Sequence, residues 1–189
     1  MGEFIRTFIA IEPDEEARDR LTSFVNSLKG IIRGDINWTR RENLHFTLKF
    51  LGEISFEKIE EVTHLLNNIA GQHKSFEVSI QTTGFFPDSK RPRIFWAGIE
   101  KGRDEILTIT NEIESDCVYL GFERERREFK AHLTLARIRD PRIRIDLQKL
   151  EELSREEICR FNVDKIILYR SDLLRSGAKY TIIKDFRLK

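Results

Sequence analysis

The sequence predicts an α+β fold made of two related halves. Three observations carry that expectation. Short strands alternate with amphipathic helices, and an order of strand–helix–strand–helix–strand is followed by a similar set. The short mixed strands, with helices to one side, also fit α+β better than a doubly wound parallel sheet. The chain has 189 residues, 40% of them hydrophobic, which is enough for a core without staples and excludes general disorder.

Phe4 to Ile11 reads as a strand. Pro13-Asp14-Glu15-Glu16 opens a helix, with acids beside its positive end. Ala17, Leu21, Phe24, Val25 and Leu28 form its apolar stripe, and Gly30 stops it. Leu44 to Leu51 alternates as a strand, and Ser55 caps a second helix running through Ala70 with Ile59, Val62, Leu65, Leu66 and Ile69 on one face. Phe76 to Thr82 reads as a strand, Gly84 to Arg93 as a loop, and Ile94 to Ile99 as a buried strand. A third helix spans about Arg103 to Tyr119, with Ile106, Ile109, Ile113 and Cys117 inward. Gly121 to Arg127 is a charged connection, Phe129 to Ile138 a strand and Leu147 to Leu153 a short helix. Phe161 to Leu168 and Lys179 to Phe186 pair as a closing hairpin around Ser176-Gly177.

The 33 Lys and Arg nearly balance the 32 Asp and Glu, for a net charge of +1. That balance argues against a dedicated, high-affinity DNA-coating protein. The longest apolar stretch, Ile94 to Ile99, is far too short for a bilayer, and no basic-then-apolar leader opens the chain. Cys117 and Cys159 form no CxxC and no zinc spacing, so a reduced, cytoplasmic setting is expected.

Two segments resemble one another, Leu44-His45-Phe46-Thr47-Leu48-Lys49-Phe50 and Ala131-His132-Leu133-Thr134-Leu135-Ala136-Arg137. Four histidines in a chain of this composition would give roughly 0.2 His-x-Thr matches by chance. Two occur, each extended by the same Leu. Side chains alternate along a strand, so His45 and Thr47 share one face while Phe46, Leu48 and Phe50 point oppositely. The same parity pairs His132 with Thr134 and puts Leu133, Leu135 and Arg137 behind them. If the halves face each other, two imidazoles and two hydroxyls surround one cleft.

That arrangement suits a phosphodiester. A neutral imidazole can take a proton from the attacking oxygen, a charged one can give a proton to the leaving oxygen, and hydroxyls can donate to the phosphoryl oxygens. The sequence offers no clustered carboxylates with metal-ligand spacing, so neither a metal nor another cofactor is expected.

On these residues the chain is similar to the RNA 2′,3′-cyclic phosphodiesterases, also called 2′-5′ RNA ligases, of the two-histidine phosphoesterase superfamily. The likeness extends to Arg6-Thr7-Phe8-Ile9-Ala10-Ile11, Phe50-Leu51-Gly52, Pro92-Arg93-Ile94-Phe95-Trp96-Ala97-Gly98 and Leu168-Tyr169-Arg170-Ser171. The resemblance implies one domain over residues 1–189, bilobal and pseudo-symmetric. Each lobe would hold an antiparallel sheet flanked by helices, with a motif (45–48 and 132–135) facing the groove between them. It implies metal-free hydrolysis of an RNA 2′,3′-cyclic phosphate to a 2′-phosphomonoester, with reversible 2′-5′ joining to a 5′-hydroxyl. His45 would be the proton donor, His132 the proton acceptor, and Thr47 and Thr134 would hold the phosphate. Arg137 matches an arginine that contacts phosphate in the family, a role that strand parity allows only with a bulge or at the strand's end.

Arg91 and Arg93, with Lys90, follow Phe85-Phe86-Pro87 and are candidates for substrate binding. Arg124, Arg126, Arg127 and Lys130 interleave with Glu123, Glu125 and Glu128, a pattern that predicts a surface ion-pair network. Trp38 and Trp96 read as core. The expected partner is RNA with a 2′,3′-cyclic phosphate end, tRNA fragments being one source, bound by a cytoplasmic monomer with no membrane association. Two alternatives stay open: a cyclic phosphodiesterase of small nucleotides, and an RNA-binding module without catalysis.

Overall fold

The computed structural model describes residues 4–175 and 177–189. The mixed α+β architecture expected from the sequence is present as two antiparallel sheets with helices packed behind them. One sheet has the strand order β11-β10-β1-β4, with β1 at Phe4–Ile11, β4 at Phe46–Ser55, β10 at Lys165–Leu174 and β11 at Gly177–Arg187. The other has the order β3-β7-β6-β5-β9, with β3 at Ile36–Trp38, β5 at Phe76–Phe86, β6 at Ile94–Lys101, β7 at His132–Ile138 and β9 at Cys159–Val163. A two-residue pair, β2 (Ile32–Arg33) with β8 (Arg144–Ile145), closes one corner.

The helices follow their sequence signals. In α1 (Glu15–Leu28), Asp14 caps the Ala17 amide at 2.8 Å, and Leu21, Val25 and Leu28 are buried. In α2 (Phe56–Ala70), Ser55 accepts from the Lys58 amide, and Ile59, Val62, Leu66 and Ile69 turn inward. α3 (Arg103–Tyr119) buries Ile106, Ile109, Ile113 and Cys117, and α4 (Leu147–Leu153) buries Leu150. These faces and the rear faces of both sheets form one continuous core.

Several boundaries differ from the sequence expectation. Gly84, Phe85 and Phe86 belong to β5 and not to a loop, because they pair with Trp96, Phe95 and Ile94. The run from Phe161 to Leu168 is two strands in different sheets: Val163 ends β9 against Phe76, and after Asp164 the chain crosses to pair Lys165 with Arg187. The β10–β11 hairpin is present, while Ser176 of its expected turn lies outside the described residues. The first motif strand begins at Phe46, since a 3-10 turn at Arg41–Asn43 precedes His45, and it continues to Ser55. The second begins at His132 and not at Phe129.

Candidate active site

Both motifs contain a bulge at the same letter. Along β4, Thr47 pairs with Ala10 and Lys49 with Ile9, leaving Leu48 as the extra residue. Along β7, Thr134 pairs with Trp96 and Ala136 with Phe95, leaving Leu135 extra. Two consecutive side chains then turn to the core: Leu48 with Lys49, and Leu135 with Ala136, all buried. The parity beyond each bulge is reversed. Phe50 therefore shares the face of His45 and Thr47, contrary to the simple alternation, and its side chain is 66% exposed there beside Phe8. Arg137, five residues after His132 as Phe50 is after His45, is brought by its bulge to the face of His132 and Thr134.

The two imidazoles are held alike. His45 donates Nδ1–H to the Asn43 carbonyl at 2.7 Å, and His132 donates Nδ1–H to the Lys130 carbonyl at 2.6 Å, each two residues upstream. Nε2 is the nitrogen left without a backbone partner in both, and Thr47 Oγ1 lies 3.0 Å from that of His45. Their surroundings differ. His45 sits among Phe8 at 5.0 Å, Tyr180 edge-on at 5.2 Å and Tyr169 at 6.4 Å. His132 meets the edge of Phe86 at 5.0 Å, and Phe86 stacks on Trp96 at 5.2 Å.

Trp96 is half-buried on the histidine face and is not a core residue. It lies across two glycines that make room for it. A Cβ on Gly84 would come within 2.3 Å of the indole, and one on Gly98 within 2.3 Å of Thr82 and 3.1 Å of the indole. Trp38 packs edge-on against Phe95, as a core-side residue would.

Burial pushes the His45 imidazole down to about 4. The Asn43 carbonyl works against that shift, and the charges of Arg18 and Arg137 add to it. His132 is also lowered, chiefly by burial and then, after the opposing Lys130 carbonyl, by Arg137. One guanidinium thus acts on both rings, and β4 and β7 touch where the sheets meet. Both shifts favour the uncharged imidazole.

A part-buried ion pair connects the motifs. Lys49, turned inward by its bulge, places Nζ 2.6 Å from Glu114 of α3 and 3.3 Å from the Glu123 carbonyl. Glu114 also accepts the Glu125 amide at 2.7 Å, fixing the segment that leads into His132. On the other flank Glu12 accepts from the Tyr169 hydroxyl at 2.6 Å and pairs with buried Arg18, which donates to the carbonyls of Pro13 and Arg41 just before His45.

Arg93 is exposed at the end of the loop leaving Phe86, its amide bonded to the Phe86 carbonyl at 2.7 Å and Nη1 to the Arg139 carbonyl at 3.2 Å. Arg91 is exposed in the same loop, its amide bonded to Asp88. The ion-pair network expected at 123–130 is not formed: among the described residues Arg124, Arg126, Arg127 and Lys130 enter no ion pair, and Glu125 accepts the Arg127 amide instead. No group of three or more metal-ligating side chains occurs among the described residues, and no helix among them is long and apolar enough to cross a membrane.

A LigT-like phosphoesterase family model matches residues 11–96 and 98–180. The chain is 32% identical over 185 residues to an RNA 2′,3′-cyclic phosphodiesterase of Methanothermobacter thermautotrophicus, covering 97% of this chain and 99% of that one. It is 30% identical to a protein of the same name from Thermotoga maritima, covering 96% and 94%. Among solved structures, a Thermus thermophilus protein superimposes with a TM-score of 0.82 at 25% identity over 97% of both chains. E. coli LigT does so at 0.76 and 23% over 99% of both.

Proposed function

The chain belongs to the LigT-like phosphoesterase family, and on that premise we propose that it hydrolyses RNA 2′,3′-cyclic phosphate ends to 2′-phosphomonoesters, with His45 and His132 as the acid–base pair. One observation carries the reading: two motifs far apart in sequence share a carbonyl-anchored imidazole, an in-facing threonine and a leucine bulge, and one guanidinium acts on both rings.

In the proposed reaction His132 Nε2 takes a proton from water as the water oxygen attacks phosphorus. The bond from phosphorus to O3′ breaks, and O3′ takes a proton from His45, leaving the phosphate on O2′. Burial favours the neutral form of both imidazoles. The phosphodiester anion raises their affinity for a proton and so charges the donor on binding. Thr47 and Thr134 donate to the non-bridging oxygens, and Arg137 balances the charge that grows there. Phe50 offers an exposed aromatic face beside His45 for the terminal base. When a 5′-hydroxyl replaces water, the same displacement forms a 2′-5′ linkage, and its reversal cleaves it. Both motifs come from one chain, so the unit of activity is a monomer, and the reading places it in the cytoplasm with Arg91 and Arg93 on the path of the RNA.

Incubation with an RNA ending in a 2′,3′-cyclic phosphate, in the presence of chelator, tests this. The reading requires a 2′-phosphate product at undiminished rate. A 3′-phosphate product, or activity abolished by chelator, contradicts it.

A further inference from the structure

The hydrolysis reading leaves open whether one nucleotide fills the site or whether a longer strand is held beyond it. The surface next to His132 bears on that question. Phe86 touches His132, its carbonyl accepts the Arg93 amide, and the Arg93 carbonyl accepts the Ile138 amide at 2.9 Å. Arg93 then reaches the Arg139 carbonyl. Two chain segments, 86–93 and 137–142, therefore leave the site side by side. They carry six cations (Lys90, Arg91, Arg93, Arg137, Arg139 and Arg142) against two carboxylates, Asp88 and Asp140.

Both carboxylates are engaged locally. Asp140 is gripped by Arg142 at 2.6 Å, and Asp88 accepts the amides of Lys90 and Arg91. Asp35, whose carbonyl accepts the Arg139 amide, adds one more acid at the margin. Lys90, Arg91, Arg93, Arg137 and Arg139 are exposed and enter no ion pair among the described residues. Elsewhere surface cations commonly pair, as in Arg20 with Glu16, Lys101 with Glu77 and Arg160 with Glu157. The other approach to His132, at 123–130, has four cations that also enter no ion pair among the described residues, but three glutamates stand between them. Net positive charge, four on this side against one there, is thus concentrated along 86–93 and 137–142, and its complement is a polyanion.

A cyclic phosphate lies at the 3′ terminus, so every further nucleotide of the strand lies 5′ of it and must leave the site over some surface. We propose that the RNA leaves over this one. Arg93 and Arg91 lie nearest the terminal nucleotide, Lys90 and Arg139 contact backbone phosphates beyond it, and an oligonucleotide is therefore preferred to a mononucleotide. The inference rests on the hydrolysis reading above.

The test is steady-state kinetics of wild type and Lys90→Glu/Arg139→Glu on two substrates, a single-stranded hexanucleotide ending in a 2′,3′-cyclic phosphate and a nucleoside 2′,3′-cyclic monophosphate. Two lost phosphate contacts, at a salt slope of about 0.7 each, correspond to a roughly sevenfold change in affinity between 50 and 200 mM salt. Wild-type kcat/KM on the hexanucleotide should fall by about that factor more than on the mononucleotide. The variant should lose this excess and its preference for the hexanucleotide through KM on the hexanucleotide, while kcat/KM on the mononucleotide changes several-fold less. The milder Lys90→Ala/Arg139→Ala should behave the same way to a smaller extent. Equal effects on both substrates, or a wild type without preference, overturn the track while leaving the hydrolysis reading standing. A wild type that turns over neither substrate removes both.

Discussion

Replacing Lys49 with Met takes from part-buried Glu114 the cation it contacts directly. The Lys49 side chain is 6% exposed and that of Glu114 19%. Burial pushes the Glu114 carboxyl up, and the bonds from Lys49 and the Glu125 amide overcome it, holding the group below its ordinary value. Removing one partner of a fully buried pair costs about 3–5 kcal/mol, and the partial exposure of Glu114 brings this pair down to about 2–3 kcal/mol. At about 2–4 °C per kcal/mol for a chain of this size, Tm should drop by roughly 4–12 °C. Lys49→Met/Glu114→Met removes both charges and should recover most of the loss, short of about 1 kcal/mol for the Glu125 amide left without its acceptor. Urea unfolding of the wild type, both single variants and the double variant gives the coupling energy directly. A single variant within about 1 kcal/mol of wild type, or a double variant no more stable than the Lys49 variant, would refute the assignment of this pair as a buried strut.

Two further outcomes follow from the site. Arg137 lowers both imidazoles, so Arg137→Met should move both limbs of the kcat/KM–pH profile to higher pH as well as reducing turnover. On the proposed roles, His45 lowered to about 4 and His132 held below its ordinary value by burial place the wild-type maximum on the acid side of neutrality; an optimum above pH 7, or limbs unmoved by the substitution, would contradict this. Gly84→Ala sets a methyl against the indole of Trp96 and should cost about 1–3 kcal/mol. Because Trp96 supports Phe86 and Phe86 supports His132, kcat should fall with it, and a variant as stable and active as wild type would show that the indole is not held as described.

The motif residues were legible because His-x-Thr is a statement about one face of one strand, and its repetition made chance improbable. What lay beyond the motif was not legible by the same rule. A two-residue period assumes an unbroken register, whereas a bulge is decided by the partner strand, here β1 for Leu48 and β6 for Leu135. One local signal was present: Lys49 interrupts the apolar run Leu48-Lys49-Phe50-Leu51, which makes little sense unless a buried acid awaits it. Gly84 and Gly98 were a second, since glycine within a strand marks close approach of another group. They point to Trp96 on the face that composition alone assigned to core. The aromatic enclosure of His45 by Phe8, Tyr169 and Tyr180 draws on β1, β10 and β11, so no local window contains it. The Asp164 crossing was hidden because apolar strands on both sides read as one run.

The most direct measurement is the single-turnover rate on a cyclic-phosphate RNA for His45→Ala and His132→Ala, each first shown to retain the wild-type far-ultraviolet spectrum. The account predicts that each substitution slows hydrolysis by about two to four orders of magnitude, and that the double variant is hardly slower than either single one, since the two rings act in one displacement. Wild-type turnover in either single variant would contradict it.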